Sequence, residues 1–169
     1  MSEIEYLGFD ALEPRAFLAL LNRAKVRRHL VQHQQFDEPA AVQWVSEKLS
    51  IDSMPGCRLR AVCTDGELAG WCGIQPDADG YELAVVLDAD YWGIGLKVYK
   101  TMMEWAQEFG HHFVNIHLLA SRPEYRFLRK MATSVTRSEW QGEVFVSYRI
   151  AVLQADLNAT AKPHESDSP

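Results

Sequence analysis

The sequence predicts an α+β fold built on a mixed sheet, and three observations carry that reading. Apolar periodicities follow one another in the order β α α β β β α β α β β, which is not the regular βαβ alternation of a doubly wound domain. Asp65-Gly66 stands between two apolar runs and marks a two-residue type I′ hairpin turn, so part of the sheet is antiparallel. No repeat, low-complexity run or linker interrupts the chain before Gln154, so residues 1–153 are expected to fold as one domain. Residues 154–169, polar and proline-bearing, are expected to form a disordered tail.

Each element has a local reason. Residues 3–8 read as a strand. Pro14 suits the first turn of a helix whose Phe17, Leu18 and Leu21 share a face. Lys25, Arg27 and Arg28 form a basic cluster, read as a solvated face or a ligand contact. Asp37 is a candidate N-cap, with Pro39 in the first turn and Ala41, Val42, Val45 and Leu49 at helical spacing. Around the Asp65-Gly66 turn, strict pairing sets Thr64 opposite Glu67, Cys63 opposite Leu68, Ala61 opposite Gly70 and Leu59 opposite Cys72. That register gives one apolar face made of Leu59, Ala61, Cys63, Leu68, Cys72 and Ile74.

A turn over residues 76–80 leads to a strand at 81–87, then to a glycine-bearing loop. The helix beyond it carries a stripe of Leu96, Tyr99, Met102, Met103, Ala106 and Phe109, and Gly110 ends it. Residues 111–119 read as a strand, and Ser121-Arg122-Pro123-Glu124 as a capping box opening a helix with Tyr125, Leu128 and Met131 aligned. A last hairpin turns at Gln141-Gly142.

Composition narrows the function. With 17 basic and 23 acidic side chains the formal charge is -6, the wrong sign for a general nucleic-acid binder and mildly suited to a cationic partner. The N-terminus lacks the basic and apolar segments of a signal peptide, and no stretch reaches the length of a membrane span, so a cytoplasmic protein with no membrane partner is expected. Cys57, Cys63 and Cys72 are an odd number, which argues for reduced, buried thiols. No metal site is expected: His111 and His117 stand six residues apart, about 20 Å along a strand, and His112 points the other way.

The most informative stretch is YELAVVLDADYWGIGLKVYKTMMEWA, where an apolar strand passes through Gly93 and Gly95 straight into a helix. Unpaired N–H groups of such a loop and first turn, the helix dipole and the close approach glycine allows make an anion site, with Lys97 as a mobile charge. The glycines serve equally well as a tight turn. No Walker A motif is present, and Val98 stands at the third glycine position of a dinucleotide fingerprint.

These residues resemble the GNAT superfamily of acetyl-CoA-dependent N-acetyltransferases, in particular the branch related to RimJ and RimL. YELAVVLDADYWGIG is similar to that branch's strand and cofactor loop, and FLALLNRAKVRRHL, AVQWVSEKL and SRPEYRFLRKMAT follow in the family's order. The resemblance implies a mixed, mostly antiparallel central sheet flanked by helices. It implies that amides around Gly93, Ile94, Gly95, Leu96 and Lys97 hold the acetyl-CoA pyrophosphate, and that backbone groups of Val85, Val86 and Leu87 pair with the pantetheine arm. Ser121 aligns with a pantetheine contact as well as being an N-cap.

The implied reaction is acetyl transfer to a primary amine on a small molecule, a peptide N-terminus or a lysine, by direct attack on the thioester. Glu82 is the implied base, acting through water, and a backbone N–H near Val86 or Leu87 the implied donor to the carbonyl. Two positions depart from the pattern. Leu128 stands where many members carry a tyrosine acid, with Ala132-Thr133 in place of Gly-Phe, and Asp90 replaces the usual Gln or Arg. Tyr125, one turn earlier, could substitute for the acid or belong to the core. The departures prompt an alternative, a catalytically weak or silent acyl-CoA-binding module with a regulatory or partner-binding role; a third reading, an interaction domain with no cofactor, follows if the glycine loop is only a turn. The sheet edge and last hairpin are surfaces through which a homodimer could form.

Overall fold

In chain order the elements are β1 (Ile4–Leu7), α1 (Pro14–Asn22), α2 (Glu38–Asp52), β2 (Arg58–Thr64), β3 (Glu67–Asp77), β4 (Gly80–Leu87), α3 (Gly95–Phe109), β5 (Phe113–Leu119), α4 (Arg126–Met131), β6 (Ala132–Trp140) and β7 (Glu143–Ala151). The computed structural model describes residues 3–23, 36–121 and 125–154. The basic cluster, residues 122–124 of the expected capping box and the tail from residue 155 lie outside them. Among the described residues the element order is the one the sequence predicts, with short 3₁₀ turns at Phe9–Ala11 and Ala89–Ile94 added.

One seven-stranded sheet runs β1-β2-β3-β4-β5-β7-β6, antiparallel throughout except where β4 meets β5. Helices cover both faces. On one, Phe9, Phe17, Leu20, Leu21 and Val45 bury Leu59, Ala61 and Trp71. On the other, Val98, Tyr99, Met102, Trp105 and Ala106 of α3 bury Cys72, Ile74, Leu83, Leu87, Val114 and Ile116. Each large apolar side chain fully buried there contributes about 1.5–3 kcal/mol. Asp37 caps α2 as expected, its Oδ1 accepting the Ala40 N–H at 2.9 Å, worth about 1 kcal/mol.

The hairpin corrects the predicted register. Thr64 opposes Glu67 and Cys63 opposes Leu68, and Asp65 and Gly66 have the two positive φ angles of a type I′ turn. Between Val62 and Cys63 the register then shifts, so Val62 opposes Gly70, Ala61 opposes Trp71 and Leu59 opposes Gly73. Ala69 is the extra residue of a β-bulge. Its effect is to split the expected apolar face: Leu59 and Ala61 go with Trp71 toward α1 and α2, while Cys72 and Ile74 turn toward α3. A strand buried on both faces has no polar side to fix its register by alternation.

Three boundaries also differ. β3 runs on through Pro76 to Asp77, so the turn is shorter than 76–80 and Asp77 belongs to the sheet, opposite Gly80. The buried stripe of α3 takes Val98 and Trp105, leaving Leu96 and Phe109 45% and 37% exposed. Two apolar stripes overlap on that helix, and the one bearing the indole buries more area. Helix α4 begins at Arg126, because Tyr125 is extended (φ -91°, ψ 109°), and Ser121 is therefore not its N-cap.

Gly70 is fixed by close approach. A Cβ there would lie 2.0 Å from the Val86 carbonyl oxygen. Gly70→Ala is expected to cost about 2–3 kcal/mol as the β3–β4 ladder opens, read as a fall in the unfolding midpoint in urea with the slope unchanged.

Candidate active site

β4 and β5 form the one parallel neighbour pair, and their register holds at a single position, Glu82 opposite Asn115. Both strands continue beyond it, but apart. Between them opens a cleft, about 450 Å³ with its open solvent-filled mouth included, lined by Leu83, Val85 and Leu87 of β4, Ile116 and Leu118 of β5, Gly95, Tyr99 and Met102 of α3, and Tyr125, Phe127 and Leu128.

The β3–β4 ladder decides which backbone groups face this cleft. The Asp88 N–H donates to the Ala69 carbonyl at 2.8 Å, so the bonded pairs two residues on are Trp71 with Val86, Gly73 with Ala84 and Gln75 with Glu82. Val86 is thereby turned to β3, which corrects its expected role as a backbone contact. Val85 and Leu87 point their N–H and C=O groups into the gap. The Leu87 carbonyl accepts the Trp92 indole N–H at 2.9 Å, which leaves its N–H and both groups of Val85.

The loop that closes the cleft is a 3₁₀ turn, pinned where Asp88, buried and paired with Arg23, accepts the Asp90 N–H. The Gly95 N–H is engaged by the Trp92 carbonyl, so the first-turn donors of α3 lacking an intrahelical acceptor are Leu96 and Lys97. Gly95 itself is in ordinary helical geometry, φ -55°, and a Cβ there would meet no protein atom. Nothing in the fold demands glycine at 95; its missing side chain keeps the mouth of the cleft clear. Gly93 is equally open, Lys97 is exposed and Ser121, also exposed, does not line the cleft.

On the opposite face of the sheet, at the apex of the gap, polar side chains from four strands converge. Gln75 Nε2 donates to Glu82 Oε1 at 2.6 Å, and Lys48 Nζ from α2 donates to Gln75 Oε1 at 3.2 Å. Asp77 Oδ2 accepts from Asn115 Nδ2 at 3.1 Å and from His117 Nε2 at 2.7 Å, and its Oδ1 takes the Ala78 N–H at 2.8 Å. His117 Nδ1 lies 2.6 Å from Ser147 Oγ, and its Nε2 is 3.7 Å from Glu82 Oε2.

The carboxylates are held in different states. Burial opposes the charge on Asp77, but bonds from His117, the Ala78 amide and Asn115 outweigh it and hold its pKa below the ordinary 3.8. Burial pushes Glu82 above the ordinary 4.5, with the Asp77 charge adding to it against the Gln75 bond, His117 and Lys48. An ionised Asp77 can only accept, so His117 carries its hydrogen on Nε2. Its Nδ1 and the Ser147 hydroxyl share the second hydrogen bond of the ring, at 2.6 Å.

A model of the Acetyltransferase (GNAT) family matches residues 22–132. The chain belongs to the GNAT acetyltransferase family. Solved structures with the same fold include a GNAT-family protein of Bordetella pertussis (TM-score 0.70, 14% identity, 89% of this chain and 99% of that one). A Salmonella typhimurium protein solved with its cofactor acetyl-CoA has a TM-score of 0.64 at 13% identity, covering 98% and 99% of the two chains. RimL, a ribosomal-protein N-acetyltransferase in complex with coenzyme A, has a TM-score of 0.69 at 13% identity, covering 88% and 94%. No curated protein matches the chain significantly.

GNAT enzymes use acetyl-CoA as acyl donor, and the cleft of this GNAT chain suits that molecule: apolar walls, unpaired strand-edge groups at Val85 and Leu87, and bare space at Gly95. Glu82 and the glycine loop, both named from the sequence, lie at the apex and the mouth of this gap, whereas Asp77, His117, Asn115 and Ser147 were not named as site residues. His117 stays clear of His111, as strand spacing requires, yet Asp77, Glu82 and His117 bring one nitrogen and two oxygens within 4.8 Å of one another. The expectation of no metal site considered only the histidines and did not foresee this cluster. The signal available was the two-residue turn after Asp77, which sets Gln75 opposite Glu82 and so places both carboxylates on neighbouring strands.

Because the Asp77 pKa is lowered on folding, its ion adds stability above the ordinary carboxylate range that fades as pH falls through the lowered value. Asp77→Asn is expected to unfold at a lower temperature than the parent at pH 7, with the difference closing as pH falls below 3.8. Thermal unfolding against pH checks it; a gap that persists in acid would refute the assignment.

Proposed function

We propose that this protein transfers the acetyl group of acetyl-CoA to a primary amine by direct attack of the amine on the thioester, with Glu82 as general base. The observation that supports it most is the position of Glu82: at the apex where β4 and β5 part, one ladder position from the open edge, fixed by Gln75 and flanked by an ionised Asp77. Acetyl-CoA supplies an activated acyl carbon; the rest is done by the chain. Val85 and Leu87 offer strand-edge groups to an extended, amide-bearing arm. Amides of Leu96 and Lys97 and the dipole of α3 favour the pyrophosphate, with Gly93, Ile94 and Gly95 leaving room for it. The Leu87 N–H, or that of Val85, is available to polarise the thioester carbonyl. Asp77 attracts the acceptor as its ammonium, and Glu82, more readily protonated, takes the proton directly or through water.

We read residues 1–153 as the acyltransferase unit, of the RimJ/RimL-like branch, working in the cytoplasm. The motif YELAVVLDADYWGIG supports that branch and with it a peptide N-terminus among the acceptors considered. One observation favours a second reading, a donor-binding module without turnover: Leu128, where a tyrosine acid is usual, is 3% exposed in the core. Release of CoA on adding amines separates the two.

Acetyl-CoA at about 100 times its Kd should stabilise the fold by about 2.7 kcal/mol, a rise of several degrees in Tm, and CoA should do the same while AMP does not. Gly95→Val is expected to lose that rise while keeping the parent Tm without ligand. An unchanged response in the variant would remove the loop from the site.

Glu82→Gln is expected to lower kcat/KM for an amine about 100-fold or more. In the parent the acid limb should lie above the ordinary Glu value of 4.5, because the folded pKa is raised and the base works only when ionised. The apparent value belongs to Glu82 together with the Asp77 carboxylate beside it. A pH profile identical in parent and variant would exclude Glu82 as the base.

A further inference from the structure

Asp77, Glu82 and His117 each divide their polar atoms between two directions. One atom of each faces outward and is fixed by a neighbour. Asp77 Oδ1 takes the Ala78 N–H at 2.8 Å, Glu82 Oε1 takes the Gln75 amide at 2.6 Å, and His117 Nδ1 meets Ser147 Oγ at 2.6 Å. Lys48, donating to Gln75 Oε1 at 3.2 Å, fixes which end of that amide turns to Glu82. The remaining atoms face one another: His117 Nε2 is 2.7 Å from Asp77 Oδ2 and 3.7 Å from Glu82 Oε2. Among the described residues Glu82 Oε2 has no hydrogen-bond partner.

This is the donor arrangement of a metal shell. One nitrogen and two oxygens of the trio lie within 4.8 Å of one another, from three adjacent strands. A zinc ion with bonds of about 2.0–2.2 Å spaces its tetrahedral ligands about 3.3 Å apart, so the shorter distance opens and the longer closes by about half an ångström each. An imidazole with two carboxylates selects a transition-metal dication of the zinc class over Mg²⁺ or Ca²⁺, which take all-oxygen shells. When Nε2 binds the ion, the ring's hydrogen moves to Nδ1 and is donated to Ser147 Oγ, which is already in place to accept it. All three side chains are partly exposed, so the ion and a water can enter from solvent.

We propose that Asp77, Glu82 and His117 form a binding site for a zinc-class divalent ion, with water as the fourth ligand, and that filling it switches acetyl transfer off. The site is independent of the donor cleft; the switch rests on the reading of Glu82 as base. A carboxylate that binds the ion through Oε2 takes no proton there, and the dication occupies the place where Asp77 draws an ammonium. Zn²⁺ therefore competes with the amine and not with acetyl-CoA.

The test is titration of the full chain, stripped of metal, with Zn²⁺ followed by calorimetry and thermal unfolding, and with Co²⁺ followed by absorption. Expected are one ion per chain and a rise in Tm of several degrees at about 100 times Kd. Co²⁺ should show the intense visible bands of a four-coordinate ion without the near-ultraviolet band of a thiolate ligand, and Mg²⁺ should do nothing. His117→Ala should weaken Zn²⁺ about 100-fold or more, and Ser147→Ala, which only frees the ring, about 10–100-fold. No uptake of Zn²⁺ by the parent, a thiolate band, or unchanged affinity in both folded variants would overturn the site. Stoichiometry and spectrum are read on the parent, so a His117→Ala chain that fails to fold leaves the test standing on them and on Ser147→Ala. Zn²⁺ that binds without raising the apparent KM for the amine would overturn the switch. Zn²⁺ uptake by a protein that acetyl-CoA does not stabilise would keep the site and remove the switch together with the proposed function.

Discussion

The parting of β4 from β5 after Glu82 and Asn115 is the constraint on which the rest of the structure depends. Parallel neighbours cannot be joined by a short turn, so a crossover is required, and here α3 supplies it. The crossover starts at the mouth of the gap and lies along one face of the sheet, which puts the helix N-terminus beside the open strand edge. The gap does not unravel the sheet because each strand is held on its far side. β4 is laddered to β3 from Gly70–Leu87 to Asp77–Gly80, and β5 to β7 from Phe113–Ala151 to Leu119–Phe145. Between β4 and β5 the pairing is given up beyond Glu82 and Asn115.

What the seam leaves exposed determines what it can hold. Unpaired strand-edge groups at Val85 and Leu87 lie between apolar walls, an arrangement that costs free energy unless a partner of matching geometry arrives. An extended chain carrying amides is such a partner. The Trp92 indole answers the Leu87 carbonyl from within the protein, so the demand that remains is at Val85 and at the Leu87 N–H. The loop then limits how a ligand enters, since Asp88 is committed to the turn and to Arg23, while the bare Cα atoms of Gly93 and Gly95 keep the mouth open.

Legibility followed sequence distance. The type I′ turn at Asp65-Gly66, the Asp37 cap, the glycine loop and the helix behind it are set by neighbours in the chain, and each could be read from a few letters. The bulge at Ala69 could not, because ELAGWCGI is apolar at nearly every position and alternation says nothing about which way Trp71 or Cys72 faces. The cluster of Asp77, Glu82, His117 and Ser147 was hidden for a different reason. Its members come from β3, β4, β5 and β7, and His117 meets Asp77 and Ser147 across 40 and 30 residues. Only Glu82 was legible, through the family resemblance, and its partners needed the register. Ending β3 at Pro76 removed Asp77 from the sheet and with it the link to His117. Proline is tolerated there because the strand is about to turn.

Two carboxylates on adjacent strands need not share one fate, and here the asymmetry has a structural cause. Asp77 sits at the strand end, where a backbone amide, an amide side chain and an imidazole all donate to it, so its negative charge is the stable form. Glu82 sits one turn of the hairpin further in, buried at the apex, with a single amide donor and the Asp77 charge nearby. A like-charge pair with unequal hydrogen bonding divides its roles: one member remains an anion, the other is the place where a proton goes. For an amine this division is what the chemistry requires. On the function proposed above, an ammonium reaching the site would meet a fixed countercharge at Asp77, and the proton it must lose to become a nucleophile would meet an acceptor whose affinity for protons is raised. His117 makes the arrangement durable, since its Nε2–H holds Asp77 and its Nδ1, through Ser147, fixes the ring to β7. The proton affinity of Glu82 is therefore set by a row of four strands, and the gap opens at the one position in that row where β4 and β5 still pair.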